Sequence, residues 1–299
     1  MTTTSENQDP WTTRTVHYLS NAVLYGMIKM ALALTYSTRV PLMGAVVSRF
    51  IGPIVGYRRR AMKHLAHIYP EMPQKDLKAI ATACLNNTGR TMIENYSGRE
   101  MLVRMKDNPL TGAGVAVIAA AKAEGRPVIL VSGHFGNFEA ARAALVGRGY
   151  DIGCLYRNMS NPFFNQHYVR NMQDLGGPTF PQGRRGTAGF VRHLKTGGQL
   201  AMLFDLHVFG APVLDFVGQP ARTAVSAAEL ALRLNAELIP FYGIRQPDGL
   251  GFETVLEKPI AHSDPLTMTQ ELNDNLSEHI KKTPEQWFWV HRRWRPNSQ

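Results

Sequence analysis

The feature that most constrains the fold is a repeated alternation of short apolar segments with segments of helical periodicity. Four apolar segments have the length of buried strands: 127–132, 151–156, 199–204 and 237–243. The segments that follow them, or lie between them, repeat apolar residues at helical spacing: 137–146, 162–175, 187–196 and 225–235. Buried strands that alternate with helices are typical of βαβ units. The sequence therefore predicts an α/β fold with a largely parallel central sheet flanked by helices.

Further helices are predicted on either side of this region. Residues 74–96 and 266–282 have apolar positions at helical spacing, and Gly197 and Gly198 end the helix before the third strand. The sequence has no internal repeat or low-complexity tract. We divide it into a polar N-terminal tail (1–15), a membrane-associated helical segment (16–70) and an α/β domain (71–299).

Polar residues capable of chemistry follow each of the four predicted strands. His134 comes after the first, Arg157 after the second, Asp205 after the third and Arg245 after the fourth. Open α/β sheets bind their ligands beyond the carboxyl ends of the strands. If the strands are parallel, these side chains share one edge of the sheet, which indicates a catalytic or binding face.

His134 and Glu139 flank the turn between the first strand and its helix. Asn137 is a predicted N-cap, and Glu139 then falls in the first helical turn, where the helix dipole favours a carboxylate. A carboxylate fixed beside an imidazole sets the tautomer and stabilises the imidazolium, as a general base for a hydroxyl requires. We predict His134 and Glu139 as the catalytic pair; the alternative is a capping histidine and an ordinary surface glutamate.

These residues carry a resemblance to a known family. His134, Glu139, Arg157 and Asp205, together with the ending PEQWFWVHRRWR (284–295), resemble the lipid A biosynthesis acyltransferases of the lysophospholipid acyltransferase superfamily. The resemblance extends from about residue 18 to residue 296. The His/acid motif is shared by the superfamily, whereas the ending is more specific to the lipid A branch.

The resemblance implies a reaction and a set of roles. His134 would be the base and Glu139 its partner, and an acceptor hydroxyl would attack an acyl thioester on acyl carrier protein or coenzyme A. Arg157 and Asp205 would be substrate-binding residues at the mouth of the site. Arg157 would hold a phosphate or help stabilise the oxyanion. Asp205 would position the site or contact groups of the acceptor, with a loop-capping aspartate as the alternative. No metal or redox cofactor is expected. The basic pair Arg184 and Arg185, between glycines, could grip a phosphate, or could lie in a solvated loop.

The acceptor is left open by one departure from the family pattern. Family members often have an Asp-x-Asp-like pair where this chain has Asp205-Leu206-His207. A lipid A precursor is the leading prediction for the acceptor, and a lysophospholipid, a phosphatidylinositol mannoside or an aminolipid is the alternative.

The charge and the N-terminal region predict a location. Lys and Arg number 33 and Asp and Glu 23, so the net charge is +10, which suits an acidic carrier protein and an anionic lipid surface. Apolar residues fill 18–34 and 40–57, with basic residues beside them. We predict an enzyme on the cytoplasmic face of a bacterial inner membrane; a buried helical hairpin is the alternative reading of 16–60.

Two remaining features complete the sequence-based predictions. Cys84 and Cys154 are far apart and are expected to be small buried hydrophobes without a disulfide. Trp287, Trp289 and Trp294 lie among arginines and could stack nucleic-acid bases, anchor at a membrane or pack against the sheet. Because the rest of the sequence offers no RNA-binding fold, a nucleic-acid partner is not expected, and a non-catalytic basic binder is the less favoured class.

Overall fold

The computed structural model describes residues 11–295, so the first ten residues of the predicted N-terminal tail lie outside the described residues. The N-terminal third is helical. Its elements are α1 (Trp11–Leu32), α2 (Tyr36–Val46), a π-helical turn (Val47–Ile51), α3 (Gly52–Ile54), α4 (Tyr57–Ile68) and α5 (Gln74–Asn95). Helix α1 begins inside the predicted tail, and the boundary at residue 16 remains a prediction.

The predicted membrane-associated segment is bent. Among the described residues no single helix is long and apolar enough to cross a bilayer. The stretch Tyr36–Ile54 and the helix Tyr57–Ile68 meet that requirement only as a pair, which bends by 87°. Length and composition therefore permit a broken or re-entrant insertion of this region, and whether it enters a membrane stays a prediction.

A seven-stranded sheet forms the centre of the molecule. Its strands are β1 (Leu110–Thr111), β2 (Val128–Ser132), β3 (Ile152–Tyr156), β4 (Thr179–Pro181), β5 (Gln199–Leu203), β8 (Glu237–Arg245) and β9 (Phe252–Leu256). They are arranged in the order β1-β9-β8-β2-β5-β3-β4. All neighbours are parallel except β8 and β9, which confirms the predicted largely parallel sheet. A separate antiparallel hairpin consists of β6 (Val213–Phe216) and β7 (Gln219–Arg222).

Helices cover both faces of the sheet. They are α6 (Gly98–Met105), α7 (Gly114–Glu124), α8 (Phe138–Val146), α9 (Pro162–Asp174), α10 (Arg184–Lys195), α11 (Ser226–Leu234) and α12 (Pro265–Lys282). Three of them begin where an Asx side chain accepts hydrogen bonds from the first free backbone N–H groups: Asn137, Asn161 and Asp264. Such caps satisfy donors that have no partner inside the helix.

The central strand β2 is buried on both sides. Ile129 and Val131 pack into the cluster formed with α4, α5, α11 and α12, while Val128 and Leu130 pack into the cluster on the opposite face with α7 and α8. Successive side chains of a strand point to opposite faces, so an uninterrupted apolar run is what a doubly covered strand requires. Burial on both faces holds β2 in the sheet. It thereby positions the residues that follow the C-terminal end of this strand.

Candidate active site

The ends of β2 and β5 bring His134 and Asp205 together. The two strands are parallel neighbours, and Ser132 lies opposite Leu203 in the register. The pairing continues one residue further, where the N–H of Phe204 donates to the carbonyl oxygen of Ser132 at 3.2 Å. Both strands therefore end at the same level. His134 and Asp205 meet at one edge of the sheet, as predicted.

Asp205 holds His134 by two contacts. The Nδ1 atom of His134 lies 2.8 Å from Oδ1 of Asp205, and the backbone N–H of His134 donates to Oδ2 at 2.8 Å. The side chain of Asp205 is 1% exposed, whereas that of His134 is 31% exposed. The imidazole thus sits between a buried carboxylate and the surface. Because Nδ1 is engaged, proton exchange with a substrate falls to Nε2.

The two groups shift each other's pKa. Burial alone would raise the pKa of Asp205, but the charge of His134 and the hydrogen bonds from His134 and Trp287 outweigh it and lower this pKa to about 2. Burial alone would lower the pKa of His134, but the carboxylate of Asp205 outweighs burial and raises it. The pair therefore stabilises the imidazolium, which is the form that a general base reaches after it takes a proton.

The C-terminal segment completes the support of this pair. The indole Nε1–H of Trp287 donates to Oδ2 of Asp205 at 2.9 Å, and the N–H of Phe288 donates to the carbonyl oxygen of His134 at 3.0 Å. Trp287 is fully buried and packs edge-on against Trp289, with ring centroids 4.8 Å apart. Of the three readings of these tryptophans, packing in the interior is the one observed for Trp287 and Trp289.

The sequence interpretation missed this role of Trp287. A buried indole N–H needs an acceptor, and carboxylates are strong acceptors, but this rule does not say which carboxylate of the chain is the partner.

Glu139 has a different partner from the one predicted. Its carboxylate Oε2 accepts from Nε of Arg142 at 2.7 Å within α8, and both side chains are buried. Arg142 also donates to the carbonyl oxygens of Gly176 and Met172, at the end of α9. The carboxylate that contacts the imidazole is Asp205. The predicted His134–Glu139 contact is corrected accordingly, and a role of Glu139 in the reaction stays a prediction.

Asp205 was predicted either to position the site or to contact groups of the acceptor. Its two oxygens accept hydrogen bonds from His134 and Trp287 in the interior. This arrangement fits the positioning role, and a contact with the substrate stays a prediction.

Two glycines let the backbone approach this site closely. A Cβ atom on Gly133 would lie 2.5 Å from Leu276 and 3.0 Å from Oδ2 of Asp205. Gly136 has φ of +56°, and a Cβ there would lie 2.1 Å from the carbonyl oxygen of Gly243. A side chain at either position would displace the loop that carries His134.

A cavity opens beside His134, and a second cavity shares four lining residues with it. One, of about 280 Å³, is lined by His134, Phe138, Leu203 and Phe288 among others. The other, of about 150 Å³, lies against α5, α8 and α9, and apolar side chains dominate its lining: Met92, Met101, Met159, Met172, Phe164 and Leu175. Met92, Asn95, Phe138 and Tyr168 line both. The imidazole therefore stands at one end of a mainly apolar space.

Three predicted substrate-binding arginines lie at the same edge of the sheet. Arg157 follows β3 and is exposed, and Arg184 and Arg185 begin α10 after β4 and are also exposed. Neighbouring strands are about 5 Å apart, and β3 and β4 lie two and three strands from β2. The three arginines therefore lie roughly 10–15 Å from the end of β2. None of the three forms a hydrogen bond with His134 or Asp205, and together they give the rim a positive charge.

Arg245, predicted at the rim, is buried behind it. Its guanidinium pairs with both oxygens of Glu94, at 2.5 and 2.7 Å, and Glu94 Oε2 also accepts from Nδ2 of Asn137 at 3.0 Å. Asn137 in turn caps α8, as predicted from the sequence. Arg245 is therefore a structural residue that links β8 to α5 and to the loop that carries His134.

The two cysteines behave as predicted. Cys84 and Cys154 are free and buried, and burial raises the pKa of each thiol to about 12. Neither is a thiolate near neutral pH, so neither is a nucleophile for acyl transfer.

Comparison with known proteins agrees with the geometry. The family model described as bacterial lipid A biosynthesis acyltransferase matches residues 9–296. A lipid A biosynthesis lauroyltransferase of Escherichia coli is 25% identical over 94% of this chain and 92% of its own. A phosphatidylinositol mannoside acyltransferase of Mycobacterium tuberculosis is 25% identical over 78% of this chain and 75% of its own. The match to the family model covers nearly the whole chain, and this protein therefore belongs to the bacterial lipid A biosynthesis acyltransferase family, whose members are acyltransferases.

Proposed function

We propose that this protein transfers a fatty acyl chain from a thioester to a hydroxyl of a lipid acceptor, with His134 as the general base. The observation that carries the proposal is the contact of 2.8 Å between His134 and buried Asp205 at one end of a mainly apolar space. The pair supplies proton transfer, and the apolar space supplies a place for a hydrocarbon chain.

The proposed reaction is a direct transfer. Nε2 of His134 takes the proton of the acceptor hydroxyl as its oxygen attacks the thioester carbonyl carbon. The tetrahedral intermediate collapses with cleavage of the carbon–sulfur bond, and the imidazolium returns the proton to the leaving thiolate. Asp205 stabilises the imidazolium between these steps. The products are an ester and a free thiol, and this scheme uses no metal or redox cofactor.

The carrier of the acyl group is proposed from charge. Acyl carrier protein is the expected donor, with acyl-coenzyme A as the alternative. The exposed arginines Arg157, Arg184 and Arg185 and the net charge of +10 suit an acidic carrier or a phosphopantetheine phosphate.

A lipid A precursor is the first acceptor to test. The family and the E. coli lauroyltransferase support this choice. The mannoside acyltransferase of M. tuberculosis supports a glycolipid of another kind as the second. A phosphatidylinositol mannoside carries a phosphate, which suits the positive rim.

The test is a transfer assay with purified protein, radiolabelled acyl donors and a panel of lipid acceptors. The panel contains a lipid A precursor, a phosphatidylinositol mannoside, lysophospholipids and an aminolipid, each offered with both donors. We expect the label to appear in an ester on one acceptor class and to be absent with His134→Ala protein. Transfer by His134→Ala at the wild-type rate, or no transfer to any acceptor by the wild type, would contradict the proposal. Loss of one lipid species from a deletion strain would identify the acceptor.

We further propose that the protein works on the cytoplasmic face of the bacterial inner membrane. The turn from the π-helical segment into α4 exposes Phe50, Ile54 and Val55 to solvent. Arg49 and Arg59 lie exposed beside them. Apolar side chains flanked by cations are typical of a segment that inserts into an anionic lipid interface. A lipid acceptor would then be reached without leaving the bilayer.

A double substitution tests this surface. The double variant Phe50→Ser with Ile54→Ser is expected to lower the partition coefficient for phosphatidylglycerol-containing vesicles about tenfold or more. The reason is that binding no longer transfers two large apolar side chains from water into the bilayer. Flotation or sedimentation of the vesicles measures the change. Val103→Ser is the matched control, since Val103 is also exposed but lies on α6. Equal binding by the wild type and the double variant would rule out insertion through this turn.

A further inference from the structure

The cavity against α5, α8 and α9 has two buried polar atoms without partners in its lining, which also includes Tyr96, Tyr168 and Glu139. Oδ1 of Asn95 and Nδ2 of Asn171 are buried and have no hydrogen-bond partner among the described residues. Both asparagines line this cavity, and Asn95 also lines the cavity that contains His134. Buried amide atoms normally have partners, so two unpaired amide atoms in one cavity indicate that a bound molecule supplies a polar group there.

The two atoms have complementary requirements. Oδ1 of Asn95 can only accept a hydrogen bond, and Nδ2 of Asn171 can only donate one. A hydroxyl group both donates and accepts, so its hydrogen-bonding chemistry matches both atoms. A carbonyl oxygen could serve Asn171 only, and a plain methylene chain could serve neither.

We propose that the acyl chain transferred by this protein carries a hydroxyl group, which Asn95 and Asn171 recognise inside the acyl-chain cavity. This inference rests on the proposed function, because it assigns the same space to the acyl chain. Asn95 lies on the wall that the two cavities share, so the hydroxyl lies beyond the reacting carbonyl, toward Asn171. An unsubstituted chain would bury the two amide atoms without partners, and the site would disfavour it.

The proposed contact also accounts for polar residues in a wall that could be entirely apolar. Asn95 belongs to α5 and Asn171 to α9, so the two amides come from separate helices. Met101 and Met172 line the same cavity and are flexible apolar side chains that can fit chains of different shape. The methionines would accommodate the hydrocarbon, while the asparagines would select the hydroxyl.

The test compares matched donors of one chain length that differ only in a hydroxyl. Unsubstituted thioesters and thioesters hydroxylated at successive carbons are offered to the wild-type protein with its acceptor. We expect kcat/KM for one hydroxylated donor to exceed that for the unsubstituted donor by about tenfold or more, since the latter leaves buried groups unpaired. Asn171→Leu and Asn95→Leu are each expected to abolish this preference. The ratio of activity toward the unsubstituted donor to activity toward the hydroxylated donor should rise in both variants.

The controls separate this inference from the proposed function. Met172→Leu changes the same cavity without removing a polar group and should retain the preference. A wild-type protein that transfers all donors at equal rates, or favours the unsubstituted one, would refute the inference and leave acyl transfer standing. No transfer of any donor would refute both. Because the wild-type comparison decides the question alone, misfolding of an asparagine variant would not obscure the answer.

Discussion

His134→Ala and Asp205→Asn are each expected to lower kcat for acyl transfer by about 10²–10⁴-fold, because general-base catalysis needs both the imidazole and the carboxylate that orients it. The asparagine keeps the shape of Asp205 but removes its charge. Because the two residues act as one unit, the double variant should be little slower than the slower single variant. Single-turnover kinetics of the purified proteins would measure all three.

The pH dependence identifies the carboxylate that serves His134. Asp205 raises the pKa of His134 above its ordinary value of 6.5, so the imidazole stays protonated, and inactive as a base, up to a higher pH. The activity of the wild type should therefore rise with pH along a limb centred above 6.5. Asp205→Asn removes the raising charge and should move this limb to lower pH.

Glu139→Gln is the comparison for this experiment. Because Glu139 pairs with Arg142, its neutralisation should leave the position of the limb unchanged, whatever it does to the rate. A limb that moves with Glu139→Gln and not with Asp205→Asn would restore Glu139 as the partner of His134.

Glu94→Ala is expected to reduce the free energy of unfolding by about 3–5 kcal/mol, because it leaves the buried guanidinium of Arg245 without its counter-charge. The pair is bidentate and inaccessible, with side-chain exposures of 4% for Arg245 and 0% for Glu94. The substitution also removes the acceptor for Nδ2 of Asn137, which caps α8. Urea denaturation followed by circular dichroism would measure the change.

Two further variants test the reason given for this loss. Glu278→Ala breaks an exposed pair with Lys281 and should change stability little, since solvent screens such pairs. Replacing Glu94 and Arg245 together by apolar residues should recover much of the loss, because no unpaired charge remains buried. A double variant as unstable as Glu94→Ala would show that the loss has another origin.

The fold was predictable where elements are long or strongly apolar. All four predicted strands are present, and β2 was recognisable because a strand buried on both faces is apolar throughout. The helices predicted at 74–96 and 266–282 are α5 and α12. The short edge strands β1 and β4 were not predicted, since two or three residues show no periodicity. Strand β9 and the β6–β7 hairpin were also missed.

The sequence predicted the location of the site better than the carboxylate that pairs with His134. Strand ends correctly placed His134 and Asp205 at one edge, because parallel strands share a carboxyl edge. The error was to select Glu139 as the partner from the His-x-x-x-x-Glu spacing, its place in the first helical turn and the family resemblance. A Glu and an Arg three residues apart on a helix are neighbours. The sequence therefore already indicated that Arg142 could form an ion pair with Glu139. Glu94 and Trp287 could not be assigned, because their contacts with the site join distant parts of the chain.

The position of Trp287 has a consequence for the order in which this protein becomes active during synthesis. The carboxylate that orients His134 receives its last hydrogen bond from a residue near the C-terminal end of the described chain. That segment is itself held by N-terminal helices, since Nδ1 of His64 meets the carbonyl oxygen of Trp289 at 2.7 Å. A nascent chain, or one cut short before residue 287, could form most of the sheet and pair His134 with Asp205, but it would lack the indole donor that fixes the carboxylate. We therefore expect the fully supported base only after the C-terminal segment has packed against the N-terminal helices.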